Sequence, residues 1–388
     1  MQASGREAAD AGLRILVLTD TPILGPGGSE RFLRNLLRSL PSWCPVDVVQ
    51  LASAPDSGNV VAKLDAPNAR LFYYPIGAIY GLSGLSAIAH IRRLANAGNY
   101  DIVQSHHEKS DLINSLLPRR PVRLRRLSNR RDMGFQKSAR LRWLMRRLNR
   151  RFDRIVAPSA AIIQSLAARE SVEPAKLVCI ANGVDTDVFA AADADTRRRL
   201  RGSLGYGDGE LLVGCVASLY PVKRHVDLID AFARVHARLP QARLLLVGDG
   251  PLRDVLQEQV ARLGLGQAAR LLGDRDDIPQ LLPALDLFVL ASSSEGLSNA
   301  ILEAQSCALP VVATRVGGNP ELVSEDCGRL VEARQPAALA STILEVLQDD
   351  ALRSRLGAAA RERVVRDHSM QAMVSAYLRL YREMARES

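Results

Sequence analysis

The chain has 388 residues, 47% of them hydrophobic and 24% charged, which is too long for one ordinary core and suits two domains of roughly 180 residues each. Aromatic residues make up only 4%, which argues against the stacking platforms of single-strand-binding proteins, and no apolar run nears the roughly 18 residues of a membrane-spanning helix. The net charge of +9 is uneven: residues 119–154 hold fifteen Arg or Lys against Asp132 and Asp153, a local +13, so the remainder carries −4.

The opening MQASGREAADAGLRILVLTD has no basic start and an apolar run of only about four residues, so no signal peptide is expected. LRILVLTD then has the length and composition of a buried parallel strand. The Gly-rich TPILGPGGSE and an amphipathic helix, RFLRNLLRSL, follow it. VDVVQLAS, ARLFYYPI, DIVQSH, RIVAPS and LVCIANG continue the alternation, which predicts a doubly wound α/β domain over 1–190. NGVDTDVFAAADADTRRRLRGSLGYGDGE loses periodicity, and a linker is expected at 191–208. A second α/β series occupies 209–370, with strands LLVGCVASL, ARLLLVGDGP, LDLFVLAS and PVVATRVGG. An amphipathic helix closes the chain at 371–388. Two such halves define a cleft between domains, the preferred place for a ligand. Cys44, Cys179, Cys215, Cys307 and Cys327 form no CxxC pair and are expected as buried thiols of a cytoplasmic protein.

Ligands of open parallel sheets lie beyond the carboxyl ends of the strands, where helix N-termini point. SSSEGLSNAILEA follows the strand LDLFVLAS, so Gly296, Leu297, Ser298 and Asn299 occupy that position. Ser298 is a candidate helix cap, and Gly296 lets a backbone approach a bulky ligand. Glu295 and Glu303 stand on either side with seven residues between them, a spacing that suits hydroxyl pairs flanking a diphosphate. A helix with acids placed for its dipole reads equally well at this point. Lys223 and Arg224 follow the strand LLVGCVASL as cations for an anion. Gly27 and Gly28 in GPGGSERF offer bare amides at a helix start. His106 and His107 end the strand DIVQSH. The Asp-x-Asp runs at 185–187, 193–195 and 274–276 formally resemble metal clamps, but the first two lie in the stretch that loses periodicity and read as linker acidity, and no metal or other cofactor is expected.

Together SEGLSNAILEAQSCALPVVATRVGGNPELV, ASLYPVKRHVDLIDAF, LLLVGDGPLRD and IANGVDTDVF resemble the family-4 retaining glycosyltransferases, over about residues 14–383. The resemblance implies two facing Rossmann-like domains (the GT-B architecture), with the final helix returning to the first. It implies transfer of a hexose or N-acetylhexosamine from a nucleotide-diphosphate sugar, UDP-linked before GDP-mannose, to a glycan or lipid-linked acceptor of a bacterial envelope or exopolysaccharide. Glu295, His106 and Lys223 take the catalytic roles. Gly27, Gly28, Lys223, Asp274, Arg275, Glu295 to Asn299 and Glu303 bind the donor, and Asn129, Arg130 and Arg131 the acceptor. One departure is Ser218, where the family has an arginine; Arg224 is the candidate replacement.

The basic segment reads either as a solvated helix face docked through Leu141, Leu144, Leu148 and Phe152, or as a surface for anionic lipid. The latter would place the protein on the inner face of a membrane. A nucleic-acid-binding protein would explain the arginines and leave the donor residues unused. A dinucleotide oxidoreductase lacks its GxGxxG, since GPGGSE and VGDGPL both break the spacing. An epimerase or hydrolase of the same architecture is the remaining alternative.

Overall fold

The computed structural model describes residues 12–25, 27–52, 62–63, 66–77, 82–117, 124–133 and 139–386. The N-terminal eleven residues, and residues 119–123 and 134–138 of the basic segment, therefore lie outside the described residues. The chain divides into two compact units: the residues up to Asn182 together with those from Met370 onward, and Gly183–Ser369.

In the first unit the strands β1 (Ile15–Thr19), β2 (Val46–Gln50), β3 (Ala62–Lys63), β4 (Ala69–Tyr73), β5 (Ile102–His106), β6 (Arg125–Asn129), β7 (Arg154–Ala157) and β8 (Leu177–Cys179) form one sheet. Its order is β3-β4-β2-β1-β5-β6-β7-β8, parallel except for the short edge strand β3. β1 and β2 are buried along their whole length, as strands covered on both faces must be. The helices are α1 (Gly28–Ser39), α2 (Leu82–Gly98), α3 (Glu108–Leu116), α4 (Ala139–Leu148) and α5 (Ala160–Glu170).

The second unit runs α6 (Ala194–Ser203), β9 (Leu211–Val216), α7 (His225–His236), β10 (Ala242–Val247), α8 (Arg253–Arg262), β11 (Ala269–Leu271), β12 (Leu287–Leu290), α9 (Asn299–Ser306), β13 (Val311–Thr314), β14 (Gly328–Val331), α10 (Pro336–Gln348) and α11 (Asp350–Asp367). Its sheet is parallel throughout, in the order β11-β10-β9-β12-β13-β14. Counted from β9 this is the doubly wound dinucleotide-fold order. Both units are thus Rossmann-like, as the alternation of runs predicts.

The helix α12 (Met370–Arg386) belongs to the first unit. Met373, Val374, Tyr377, Leu380, Tyr381 and Met384 line one of its faces and are buried. They join Phe32, Leu33, Leu36 and Leu37 of α1 and Ile102, Leu127 and Val156 of the sheet in one core. The spacing of these six is that of an amphipathic helix.

Two expectations are corrected. The division falls at residues 182 and 183, and the stretch 191–208, expected as a linker, carries α6 within the second unit. This helix has no apolar period. Asp193 caps it by accepting from the Thr196 amide at 2.7 Å, and Arg197 and Arg201 anchor it to Asp286 at 2.6 and 3.0 Å. Charge, not hydropathy, docks it. Cys179, expected buried, is exposed at the end of the edge strand β8, whereas Cys44, Cys215, Cys307 and Cys327 are buried.

Candidate functional site

Each sheet reverses its strand order once, and the reversal sets where a ligand can lie. In the second unit it falls between β9 and β12, which are neighbours. The loop after β9 ends in the turn Pro221–Lys223. The loop after β12 carries Ser292 to Ser298. They are clamped together at Val222, whose carbonyl accepts from the Ser293 amide at 2.8 Å and from its hydroxyl at 3.1 Å.

With the loops so joined, Lys223 Nζ donates to Glu295 Oε1 at 2.7 Å, and Ser292 Oγ donates to the same oxygen at 2.6 Å. Glu295 is only 9% exposed, so this is a sheltered ion pair at the carboxyl ends of two central strands. Beneath it, burial pushes the Cys215 thiol up to about 12. Burial, helped by Lys223, pulls His225 down to about 4. Both are therefore neutral near pH 7, and Lys223 and Glu295 carry the local charge.

Ser298 caps α9 as expected, its hydroxyl accepting from the Ile301 amide at 3.3 Å. Leu297 and Ser298 are buried, Gly296 and Asn299 half-buried. Glu303, one turn into α9, is buried. The positive end of the α9 dipole thus lies beside the Lys223–Glu295 pair.

A brace from the next strand was not legible in advance. Thr314 Oγ1 at the end of β13 donates to Ser292 O at 2.6 Å. Gly317, at φ +51, passes so close that a Cβ there would overlap the carbonyl oxygen of Glu295. Glycine is required at that point on both counts. GGNPELV, noted only as a family signature, thus has a mechanical role: it holds up the loop that presents Glu295.

Other expected donor residues are placed differently. Arg224 sits in the left-handed region at φ 53 and forks onto Asp227, with bonds of 2.8 and 2.7 Å. Its guanidinium is paired with a residue of its own helix. Arg275 pairs with Asp277 at 2.7 Å and Asp274 is exposed. Both follow the edge strand β11, two strands from β9 in the sheet order.

In the first unit the reversal lies between β1 and β5. Gly27 is the N-cap of α1 and Gly28 its first residue, both exposed; Pro26, just before them, lies outside the described residues. His106 ends β5, is 1% exposed, and places Nε2 2.7 Å from Gln104 Nε2. Burial, with His107 and Arg131 nearby, holds its pKa well below the ordinary imidazole range. The start of α3, by contrast, is already occupied by protein: Asp20 accepts from the amides of Lys109 at 2.8 Å and Ser110 at 2.7 Å.

The three residues expected at the acceptor are turned inward. Asn129 is in register with His106 and donates to Tyr377 Oη at 2.7 Å. Arg130 is 5% exposed. Its guanidinium pairs with Asp111 at 2.6 Å and Glu170 at 2.9 Å, and bonds Ser128 Oγ at 2.6 Å and Asn149 Oδ1 at 3.1 Å. It is a structural cation, which corrects the expectation of acceptor contact. Arg131 lies 3.5 Å over the Phe32 ring and bonds Asn182, and burial lowers its pKa to about 10.

Among the described residues no group of three or more His, Cys, Asp or Glu is arranged to hold a metal ion. No helix of the described residues is long and apolar enough to cross a membrane.

Comparison with known proteins agrees with this anatomy unit by unit. The family described as Glycosyltransferase Family 4 matches residues 26–188, and the family described as Glycosyl transferases group 1 matches residues 196–363. The chain belongs to glycosyltransferase family 4. It is 31% identical over 237 residues to N-acetyl-alpha-D-glucosaminyl L-malate synthase of Bacillus anthracis, a match covering 61% of this chain and 61% of that relative's length. It is 26% identical over 343 residues to the UDP-Gal:alpha-D-GlcNAc-diphosphoundecaprenol alpha-1,3-galactosyltransferase of Escherichia coli, covering 85% and 87% of the two chains. The fold is similar to that of Anabaena HepE in complex with UDP, with a TM-score of 0.81, 24% identity, and coverage of 95% and 99%.

Proposed function

We propose that this protein is a retaining glycosyltransferase that takes a hexose or N-acetylhexosamine from a nucleotide-diphosphate sugar, UDP-linked in preference to GDP-linked. The observation that carries this reading is the sheltered Lys223–Glu295 pair beside the capped start of α9. Breaking an anomeric carbon–phosphate bond builds positive charge on the sugar and negative charge on the diphosphate. Lys223 and the amides at the start of α9 stabilise the departing diphosphate, which supplies the electrostatic work a metal does elsewhere. Glu295 holds sugar hydroxyls, and Glu303 accepts from the ribose diol. The acceptor hydroxyl attacks on the face the diphosphate leaves, its proton passes to a diphosphate oxygen, and the anomeric configuration is kept. Relatives whose names specify UDP-galactose and a diphosphoundecaprenol-linked sugar, or a UDP complex, support a nucleotide-sugar donor and a glycan or lipid-linked acceptor.

The test is a thermal-shift panel of UDP- and GDP-sugars on the wild type and on Glu303→Ala. A carboxylate accepting hydroxyls contributes about 1.5–3 kcal/mol, so the variant is expected to bind its best nucleotide about 10- to 100-fold more weakly. Unchanged affinity removes Glu303 from the ribose. Free sugar released at the wild-type turnover rate without any acceptor would favour a hydrolase instead.

The acceptor's setting is proposed from the basic segment. Leu148 and Phe152 are buried as expected and Leu141 and Leu144 half-buried, with Met145 completing the inner side of α4. On the outer side Arg140, Trp143, Arg146, Arg147 and Arg150 are exposed. Trp143 is 56% exposed and carries the Arg147 guanidinium 4.6 Å above its ring. An indole among arginines matches the headgroup layer of an anionic membrane. The whole protein is expected to co-sediment with vesicles containing phosphatidylglycerol and not with phosphatidylcholine alone. Each of Arg140, Arg146, Arg147 and Arg150 changed to Gln should weaken this about fivefold. Equal binding to neutral vesicles rules the surface out.

A further inference from the structure

The helix α12 crosses the first sheet from one end of its strands to the other. Asn129, the last residue of β6, donates to Tyr377 Oη at 2.7 Å. About one turn on, Tyr381 donates to Gln104 Oε1, in the middle of β5, at 2.6 Å. Beyond it Arg382 lies against Trp43, three residues before β2. Glu383 pairs at 3.1 Å with Arg154, the first residue of β7. The last turns of α12 therefore stand at the amino ends of the strands. Ligands of open parallel sheets lie at the other end, where His106 is.

A cavity of about 380 Å³ opens at these last turns, lined among the described residues by Arg379, Arg382, Glu383 and Arg386. Spacings of three and four put the three arginines on one side of the helix. Arg382 is held by the indole of Trp43, whose ring centre is 5.1 Å from the guanidinium carbon, and Trp43 itself packs on the core. Arg379 and Arg386 are exposed. Glu383, the only acid of α12, is turned to Arg154. Three cations thus share one concavity, and like charges one turn apart repel. The negative end of the helix dipole, about half an elementary charge, offsets only part of this. An arriving anion relieves the rest. The volume falls within the roughly 300–1,000 Å³ of small-ligand sites, and guanidinium forks match the paired oxygens of a phosphate.

We propose that this cavity is an anion site that takes a phosphoryl group, carried by a small phosphate ester or by a lipid headgroup. Arg382 on Trp43 is its fixed wall, and Arg379 and Arg386 close on the phosphate oxygens. The site lies wholly within the first unit and needs no part of the transferase reading.

Trp43 is the reporter. The chain has two tryptophans, so Trp143→Phe leaves Trp43 as the sole indole, beside Arg382. Inorganic pyrophosphate is titrated into this full-length protein at constant ionic strength, and a saturable change in Trp43 fluorescence is expected. Adding Arg379→Gln and Arg386→Gln should weaken the binding about 10- to 25-fold, about three- to fivefold for each screened, exposed charge. Adding Lys223→Ala instead should leave the titration unchanged, because Lys223 belongs to the second unit. Glycerol 3-phosphate, and vesicles of phosphatidic acid in phosphatidylcholine, separate the two sources. A response to the soluble ester supports the site with a small-molecule ligand, and a response to the vesicles alone supports it with a headgroup. No saturable response to any of the three probes, a response that the two glutamines leave unchanged, or one abolished by Lys223→Ala overturns the proposal.

Discussion

Lys223→Ala is expected to lower kcat by about 10²- to 10³-fold, the usual consequence of removing one preorganised charge or donor from a developing anion. In the resting protein Lys223 Nζ is 2.7 Å from Glu295 Oε1. The same ammonium therefore has two tasks, balancing a sheltered carboxylate and meeting the diphosphate as it leaves. Rapid-quench single-turnover kinetics separate them when Lys223→Ala is combined with Glu295→Gln, which removes the orphaned charge. If the lysine acts on the leaving group, the double variant stays at least as slow as Lys223→Ala. If the double variant recovers most of the rate, the lysine only balances Glu295, and the leaving-group role is wrong.

Arg130→Met is expected to cost the first unit about 3–5 kcal/mol, because it strands Asp111 and Glu170 in the interior. Both tryptophans of the chain, Trp43 and Trp143, belong to this unit, so urea unfolding followed by their fluorescence reports it selectively. The pH dependence has a definite sign. Burial already raises the Asp111 pKa, against the pull of Arg130. Removing the arginine raises it further above its unfolded value. A carboxyl with a raised folded pKa contributes stability below its unfolded pKa and loses it as pH climbs through the folded one. The deficit of Arg130→Met relative to wild type is thus largest near neutrality and narrows on acidification. A variant as stable as wild type, or a deficit independent of pH, contradicts the buried triad.

Much of the fold was legible because parallel strands covered on both faces are short apolar runs, and β1 and β12 are of that kind. The cap at Ser298 and the placing of Lys223 and Glu295 past strand ends followed from local chemistry: a serine before a helix, a cation and an acid where strands finish. What failed had distant partners. Arg130 sits after a strand just as an acceptor ligand would, and only the return of Asp111 and Glu170 to its side makes it internal. The helix α6 was hidden because its partner, Asp286, lies far along the chain. Gln104, Tyr381, Ser292 and Gly317 were passed over, although polar residues alternating along a buried strand, Gln104 and His106, were a usable signal for the first of them.

The helix α12 reaches the first unit only after all of Gly183–Ser369 has been made. On the ribosome, then, the nascent first unit waits without the α12 residues that share its core with Ile102, Leu127 and Val156, and the second unit is finished before it. Those seventeen residues act as a latch on biosynthesis: a chain cut short before Met370 lacks Tyr377 and Tyr381, and leaves an apolar sheet face open to chaperones and aggregation.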